Sequence, residues 1–518
     1  MVTDKKVVVR FAPSPTGGLH VGGIRTALFN YIFAKKHGGA FLLRIEDTDT
    51  KRFDKSAEAH IAESLKWLGI IPDMSPLKDL TPLTCSDKLR QSDRFKAGVY
   101  AEPIKQLIAS GAAYMAFDTT DELTAARAKW KEIKHMAGYN HAVRMSMRNS
   151  LSLPADEVES LLSAGTPYVV RFKTVPGENV EINDVIRGKV VINTNEMDDK
   201  VLVKNDGMPT YHLANILDDH DMEVTHVIRG EEWLPSTPLH VLLYRAFGWD
   251  VPVFAHLPLI LNEDGSKMSK RTAMKLGISV FAVKYEGTDE EGADATMDGF
   301  RELGFEADAL VNFLALMGWH PTHDREIMPL DMIIEDFTLE RCGSSGAIFD
   351  VAKLKAFNFD YVRRLDPGLL VPTEAFTGMS VDNYMQIVEW TRERSHKRAD
   401  AITTYGPFAH APSKYDVTKK NPWTDVANAA WSKAVELFES DPDLDKKWTY
   451  DYIESTILAA CAATGVEKKN IMAALRMALT GGLPGPDLIG TMVILGPNES
   501  ISRLERAAET LYGTQEEN

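Results

Sequence analysis

A doubly wound α/β domain, interrupted by an inserted α/β segment and followed by an all-α region, is the architecture this sequence predicts. Three observations predict it. A strand, a glycine-rich turn, a helix and a second strand follow one another within the first fifty residues. Strand-like, turn-rich sequence resumes at Val201, beyond a stretch of different texture. After residue 345 helical periodicity takes over. The length agrees: 518 residues are too many for one domain and suit roughly three or four.

Val7–Phe11 is a short β-branched run that stops at Pro13 and Pro15, as a buried strand would. Gly17 to Gly23 form a glycine-rich turn. Ile24, Leu28, Tyr31 and Ile32 then recur at helical spacing, and Gly38-Gly39 ends that helix. Phe41–Ile45 is a second apolar strand, with Glu46, Asp47 and Asp49 just past its end. This is a βαβ unit of the Rossmann type, and ligands in such sheets sit beyond the C-terminal ends of the strands. Residues 1–85 are therefore read as the first half of the sheet domain. Residues 86–191 mix a charged helix (Asp121–His135) with β-rich runs (Tyr168–Lys173, Lys189–Ile192) and are read as an inserted α/β domain. The second half, 192–272, carries a strand at Leu257–Leu261 and a turn at Asp264-Gly265. A mixed region, 273–345, leads to a helical region at 346–518, in two parts meeting near 415. Its helices are expected at Val381–Ile402, Asp425–Phe438, Asp451–Ala463, Lys468–Leu479 and Ile501–Tyr512.

Composition narrows the class. Hydrophobic residues at 44% and charged residues at 25% exclude a mostly disordered chain. No run of about 18 apolar residues escapes a charge or a Gly/Pro break, so no membrane span is expected. The opening MVTDKKVVVRFAPSP lacks the apolar core of a secretory signal. Three scattered cysteines, Cys85, Cys342 and Cys461, make neither a disulfide framework nor a Cys-x-x-Cys metal site. A cytoplasmic protein is expected. The net charge of -16 lowers the expectation of nucleic-acid binding without removing it, because screening confines fields to about 8 Å.

Two elements carry chemistry. Pro15-Thr-Gly-Gly-Leu-His20-Val-Gly22-Gly23 is neither a P-loop nor Gly-x-Gly-x-x-Gly. Its physics still suits a phosphate: glycines admit close backbone approach, the helix N-terminus is electropositive, and His20 can donate to a phosphate oxygen. Downstream, Lys267-Met-Ser-Lys270-Arg271 follows the Asp264-Gly265 turn on a loop suited to closing over a polyphosphate. Asp218-Asp219-His220-Asp221 with His226 could be drawn as a metal site, but no helical His pair or sulfur supports a structural zinc. It reads better as a strand-end cluster that holds a loop by hydrogen bonds. Trp423, Trp431 and Trp448 read as core.

Together, a Pro-x-x-Gly-x-His-x-Gly turn and a downstream Lys-Met-Ser-Lys resemble the signature pair of class I aminoacyl-tRNA synthetases. Arg10-Phe-Ala12-Pro-Ser14-Pro-Thr-Gly, Arg44-Ile-Glu46-Asp47-Thr48-Asp49, Asp206-Gly-Met-Pro-Thr-Tyr211-His and Thr225-His226-Val-Ile-Arg229-Gly-Glu231-Glu232 are similar to the bacterial glutamyl member. The resemblance is dense from about 7 to 275, and Leu475–Arg503 is similar to the last helical module of that family.

The resemblance implies an ATP-dependent ligase that joins L-glutamate to tRNA(Glu). His20, Lys267 and Lys270 would be catalytic. Arg10, Glu46 and Arg229 would hold glutamate, with Ala12, Ser14, Tyr211 and Asn215 lining its pocket. Glutamate carries two carboxylates and one ammonium, so two cations and one anion make physical sense. ATP would lie near His20, Gly22, Gly23, Glu232, Trp233, Leu259, Ile260 and Lys270, and magnesium would enter with it. The family places anticodon contacts in the helical region, where Arg392, Arg394, Lys397 and Arg398 on a helix over Trp390–Ile402 are candidates for tRNA. Some relatives hold zinc in the inserted domain, but Ala113-Tyr-Met-Ala-Phe-Asp-Thr119 has no cysteine, so no zinc is expected. The family is usually monomeric, and its bound tRNA is needed before glutamate is activated. Two alternatives stand beside this: a glutaminyl enzyme, whose anticodon region is typically a β-barrel, and a catalytically silent synthetase-like RNA-binding protein, which would have lost residues such as His20 or Arg10.

Overall fold

The computed structural model describes residues 6–49, 54–80, 84–131, 138–268, 273, 278–287, 296–417 and 421–512. Two compact units divide the chain, Met1–Leu354 and Lys355–Asn518. Among the described residues no helix is long and apolar enough to cross a membrane.

In the first unit, β1 (Val8–Phe11), β2 (Ala40–Leu43), β3 (Met74–Ser75) and β4 (Thr84–Cys85) form a parallel sheet in that order. A second sheet begins with β10 (His226–Gly230), which pairs in parallel with β11 (Val253–Leu257). β11 pairs in parallel with β7 (Asn179–Asp184), and β8 (Gly188–Asn193) closes the edge as an antiparallel hairpin with β7. Thr225 N donates to Val8 O at 2.9 Å, and Val8 N donates to the Thr225 hydroxyl at 3.0 Å, which sets β1 beside β10. From β1 the chain crosses to β2, and from β10 it crosses to β11 on the other side. The reversal leaves a crevice beyond the C-terminal ends of β1 and β10, the place where doubly wound sheets bind ligands.

α1 (Val21–Lys36) makes the first crossover, buried on most of its circumference by Ile24, Leu28, Phe29, Ile32 and Phe33. Lys35 and Lys36 in its last turn complement the helix dipole, while no acidic residue occupies its first turn, so the N-terminal end stays electropositive. The helix starts earlier than the sequence suggested: Gly22 and Gly23, expected in the turn, lie in its first turn. His20 explains the difference, because its Nδ1 accepts the Gly22 N–H at 3.0 Å and caps the helix. A Cβ added at Gly22 would stand 2.7 Å from His20 Cε1, so the cap requires glycine there.

Three other expectations change. The strand expected at Leu257–Leu261 is two: β11 ends at Leu257, and β12 (Ile260–Leu261) pairs with β13 (Ala347–Ile348). Pro258 between them has no N–H to continue a ladder. The region 192–272 also contains two helices, α7 (Tyr211–Asp221) and α8 (Thr237–Phe247). Leu213, Ile216 and Leu217 are buried along α7 at helical spacing, a signal that the run of acids after them obscures. The stretch 86–191 supplies β7 and β8 to the main sheet. It also supplies β5 (Ala113–Ala116) and β6 (Val169–Phe172) to a separate antiparallel sheet completed by β9 (Val201–Val203).

The second unit is helical. The helix expected over Val381–Ile402 is two, Val381–Arg394 and Ala401–Ala409. The Asp400 carboxylate accepts from the N–H groups of His396 and Lys397 at 3.0 and 2.9 Å and starts a new turn between them. Trp423, Trp431 and Trp448 are buried in one core with Phe438, Ile453 and Ile471. Each indole N–H is satisfied inside it, by Asn428 Oδ1, Ile471 O and Met492 O. These are core residues, as the sequence suggested.

Candidate active site

The crevice beyond β1 and β10 gathers most of the residues singled out in the sequence. Arg10, one residue before the end of β1, is buried, and its Nε donates to both Asp219 carboxylate oxygens at 3.0 and 3.2 Å. Its two terminal nitrogens have no hydrogen-bond partner among the described residues. Arg44, just past β2, is fully buried and bridges two acids: Nη1 meets Asp219 Oδ1 at 2.7 Å, and Nη2 meets Glu46 Oε1 at 2.8 Å. Asn215 Nδ2 also donates to Glu46 Oε1, at 3.1 Å. Glu46 is thereby held through one oxygen, and the other has no hydrogen-bond partner among the described residues. Glu46 N donates to Pro13 O at 3.1 Å, which ties it to the segment carrying half-buried Ala12 and exposed Ser14.

Arg229, near the end of β10, is bound quite differently. It is buried, yet every direct partner is neutral. Nε donates to His256 Nε2 at 3.0 Å, Nη1 to Tyr211 Oη and His240 Nδ1 at 3.2 Å each, and Nη2 to Thr237 Oγ1 at 2.9 Å. A guanidinium has five N–H donors, so one on Nη2 remains. Tyr211 accepts from Arg229 and keeps its own proton, since burial pushes it up to about 12. A buried cation with only neutral contacts is costly unless an anion completes its shell. The remaining Nη2 donor and the Tyr211 hydroxyl are what a carboxylate would take. Tyr211 in turn packs against Trp233, with ring centroids 4.2 Å apart.

His20 stands at the N-terminus of α1. With Nδ1 accepting from Gly22, a neutral imidazole carries its proton on Nε2, a donor turned away from the cap. Glu231 Oε1 accepts from Leu259 N at 2.9 Å, which ties the end of β10 to the segment with Leu259 and Ile260; Glu232 beside it is exposed. Ile260 O accepts from Met268 N at 3.0 Å, and Lys267 lies exposed on the return leg of a tight turn. Gly265 takes φ +80° in that turn, a conformation open to glycine. Lys270 lies outside the described residues.

The acidic run is not at a strand end. Asp218, Asp219, His220 and Asp221 form the last turn of α7. Asp218 is buried and accepts from Gln91 Nε2 at 2.8 Å, Arg94 Nε at 2.7 Å and Tyr100 Oη at 3.0 Å, while Asp219 serves Arg10 and Arg44. Helical geometry puts neighbouring acids on different sides, so one anchors the 91–100 segment and the other the pocket. Among the described residues no group of three acidic, histidine or cysteine side chains is placed to hold a metal.

Sequence reasoning gave no role to Asp184, Thr237, His240 or His256. Asp184 and Thr237 lie 45 residues before and 8 after Arg229, too dispersed for a local motif. His256 did carry a signal: it stands in Val253-Phe-Ala-His-Leu257, and a polar residue in so apolar a strand must find a partner.

The histidines also set a pH response. Burial, with Lys200 and Arg229 nearby, holds His212 down from 6.5 to about 4; burial beside Arg229 holds His240 well below its usual range. Their folded pKa values are depressed, so below pH 6.5 the unfolded chain binds more protons. The stability that these two histidines contribute is complete above that pH and is lost between pH 6.5 and about 4. His212 alone corresponds to roughly 3 kcal/mol. Thermal unfolding across this range should show the loss, and a His212→Gln variant should show a shallower one.

The fold and the crevice define the class of protein. Residues 6–356 match the family described as tRNA synthetases class I (E and Q), catalytic domain, and residues 360–508 match an anticodon binding domain. The chain is 44% identical to a glutamate--tRNA ligase of Phocaeicola vulgatus, covering 98% of this chain and 100% of that one. It is 44% identical to the corresponding enzyme of Flavobacterium johnsoniae, with the same coverage. A solved glutamate tRNA ligase of Elizabethkingia meningosepticum, in complex with its amino acid, superposes with a TM-score of 0.85 at 42% identity, covering 98% of this chain and 100% of that one. The chain belongs to the glutamate--tRNA ligase family of class I tRNA synthetases.

Proposed function

We propose that this protein activates L-glutamate with ATP and transfers it to the 3′ end of tRNA(Glu). The observation that carries the reading is the near-complete match, end to end, to glutamate--tRNA ligases. The crevice supports it with a chemistry that suits this amino acid. Arg229, whose direct partners are all neutral, takes one carboxylate, helped by the Tyr211 hydroxyl. Arg10, with its terminal nitrogens available, takes the other. Glu46, held in place by Arg44 and Asn215, meets the ammonium, and Ala12 and Ser14 close the side of the pocket.

The α-carboxylate then attacks the α-phosphate of ATP, and pyrophosphate leaves with its magnesium. Catalysis is positioning plus charge stabilisation, since no covalent enzyme intermediate is needed. The His20 Nε2–H and the uncompensated N-terminus of α1 receive the phosphates, with Gly22 and Gly23 allowing close approach. Lys267 and Lys270 add positive charge, and the adenosine lies near Glu232, Trp233, Leu259 and Ile260. A terminal ribose hydroxyl of tRNA finally takes the glutamyl group.

In this reading the part of 86–191 before β7 belongs to an inserted domain that receives the acceptor end, 273–345 contacts the stem, and the helical region reads the anticodon. The four cations offered for tRNA differ in availability. Arg392 is half-buried and engaged by Glu389 at 2.8 Å and Leu365 O at 3.0 Å, and Lys397 is half-buried; Arg394, which donates to Glu393 and Trp390 O at 3.2 Å each, and Arg398 are exposed at the surface. Arg394 and Arg398 are therefore the better candidates. We read the protein as a cytoplasmic monomer that binds no zinc. The helical anticodon region favours this assignment over a glutaminyl enzyme, and the intact His20, Arg10 and Glu46 favour it over a silent RNA-binding protein.

His20 offers a clean test, because capping and phosphate contact use different nitrogens. His20→Asn keeps a capping oxygen, and its shorter side chain draws its amide N–H groups back from the position of the imidazole Nε2–H. Glutamyl-adenylate formation should fall by roughly two orders of magnitude with the melting temperature unchanged. Unchanged single-turnover rates would remove His20 from the phosphate site.

A further inference from the structure

His256 lies in β11 behind Arg229, and Asp184 lies at the end of β7 behind His256. Both are buried. Asp184 Oδ2 stands 2.6 Å from His256 Nδ1 and accepts the His256 backbone N–H at 3.1 Å. Its Oδ1 accepts from the N–H groups of Ile186 and Arg187 at 3.0 and 2.8 Å. Four contacts fix the carboxylate, which can only accept. The proton between the two residues therefore sits on His256 Nδ1, and Nε2 keeps a lone pair. That lone pair faces Arg229 Nε at 3.0 Å. An arginine N–H can only donate, so the opposite tautomer would set two protons against each other.

We propose that Asp184 and His256 are positioning residues for glutamate recognition: the carboxylate fixes the imidazole tautomer, and the imidazole aims Arg229 at the substrate carboxylate. The proposal rests on the reading of Arg229 as a carboxylate ligand. The same arrangement explains how a buried arginine can stand among neutral groups. Asp184 sits one residue behind, polarising His256 as an acceptor without competing for the terminal nitrogens that the substrate needs. A carboxylate placed on the terminal nitrogens of Arg229 would compete with the ligand; on Arg10, Asp219 avoids this by meeting Nε. His240 supports the opposite side: Nδ1 accepts from Arg229 while Nε2 meets His212 Nδ1 at 3.3 Å. Thr237 fills the remaining corner, in reach of both Arg229 and His256.

The test compares three variants in ATP–pyrophosphate exchange with saturating tRNA, varying glutamate and ATP separately. His256→Phe keeps the ring shape and removes the acceptor, and it should raise the KM for glutamate roughly 10- to 100-fold, the size of one hydrogen bond to a charged group. The KM for ATP should not move. His256→Gln presents an acceptor near the Nε2 position and should recover most of the loss. Asp184→Asn turns an N–H toward His256, favours the wrong tautomer and should resemble His256→Phe, which keeps the proposal testable if one variant fails to fold. An unchanged KM for glutamate in folded His256→Phe or Asp184→Asn would overturn the relay. So would equal losses for both substrates with no recovery in His256→Gln, since a purely structural role would do that. If Arg229→Gln abolishes glutamate use while these variants do not, the relay alone fails; if Arg229→Gln also has no effect, the carboxylate reading fails first.

Discussion

Arg229→Gln is expected to raise the KM for glutamate by roughly two to three orders of magnitude, the cost of leaving a buried charge without its partner. The size follows from the surroundings. His256, His240, Tyr211 and Thr237 hold the guanidinium with neutral atoms, so no nearby cation on that side could replace it for the ligand. A glutamine side chain is shorter, uncharged and unable to make the forked contact. The KM for ATP should be unchanged, because among the described residues neither the His20 turn nor the Lys267 segment takes a hydrogen bond from Arg229. Steady-state exchange kinetics with each substrate varied in turn measure both. An unchanged glutamate dependence would mean that the pocket is elsewhere.

Lys270→Ala should slow glutamate activation by two or more orders of magnitude, the scale of losing one donor aimed at transition-state charge. The crevice explains why one lysine should matter so much. In the proposed site the helix end and His20 would meet the phosphates from one side only, while negative charge grows on the departing pyrophosphate. Affinity for tRNA should survive, since the helical region and the rest of the chain are untouched. Single-turnover adenylate formation and a separate tRNA-binding titration distinguish the two effects. Equal rates in the variant would exclude Lys270 from the chemistry.

The sequence was most legible where chemistry lies close in the chain. Arg10, His20 and Glu46 sit at or near the ends of two short strands and a helix, so period and punctuation alone placed them at one edge of a sheet. Glycine-rich sequence concealed the start of α1: Gly22 and Gly23 read as turn because their role in making room for the His20 cap is a packing fact. Acids concealed the helix α7, whose last turn divides Asp218 from Asp219 in function. Pro258 was visible in Leu257–Leu261 and should have broken that strand. Of the network around Arg229, only Tyr211 and the polar His256 in its apolar strand left a trace in the sequence. The network is assembled from β7, β10, β11, α7 and α8, and only sheet order brings Asp184 beside His256. Similarly, Ser395 and Asp400 end one helix and begin the next in a stretch whose charged residues read as continuous helix.

The most direct test of the central claim is ATP–pyrophosphate exchange with glutamate, run with and without total tRNA. The account predicts glutamate-dependent exchange that appears only when tRNA is present and is not supported by glutamine. No exchange under either condition, with the protein folded, would contradict it and leave a synthetase-like fold that only binds RNA.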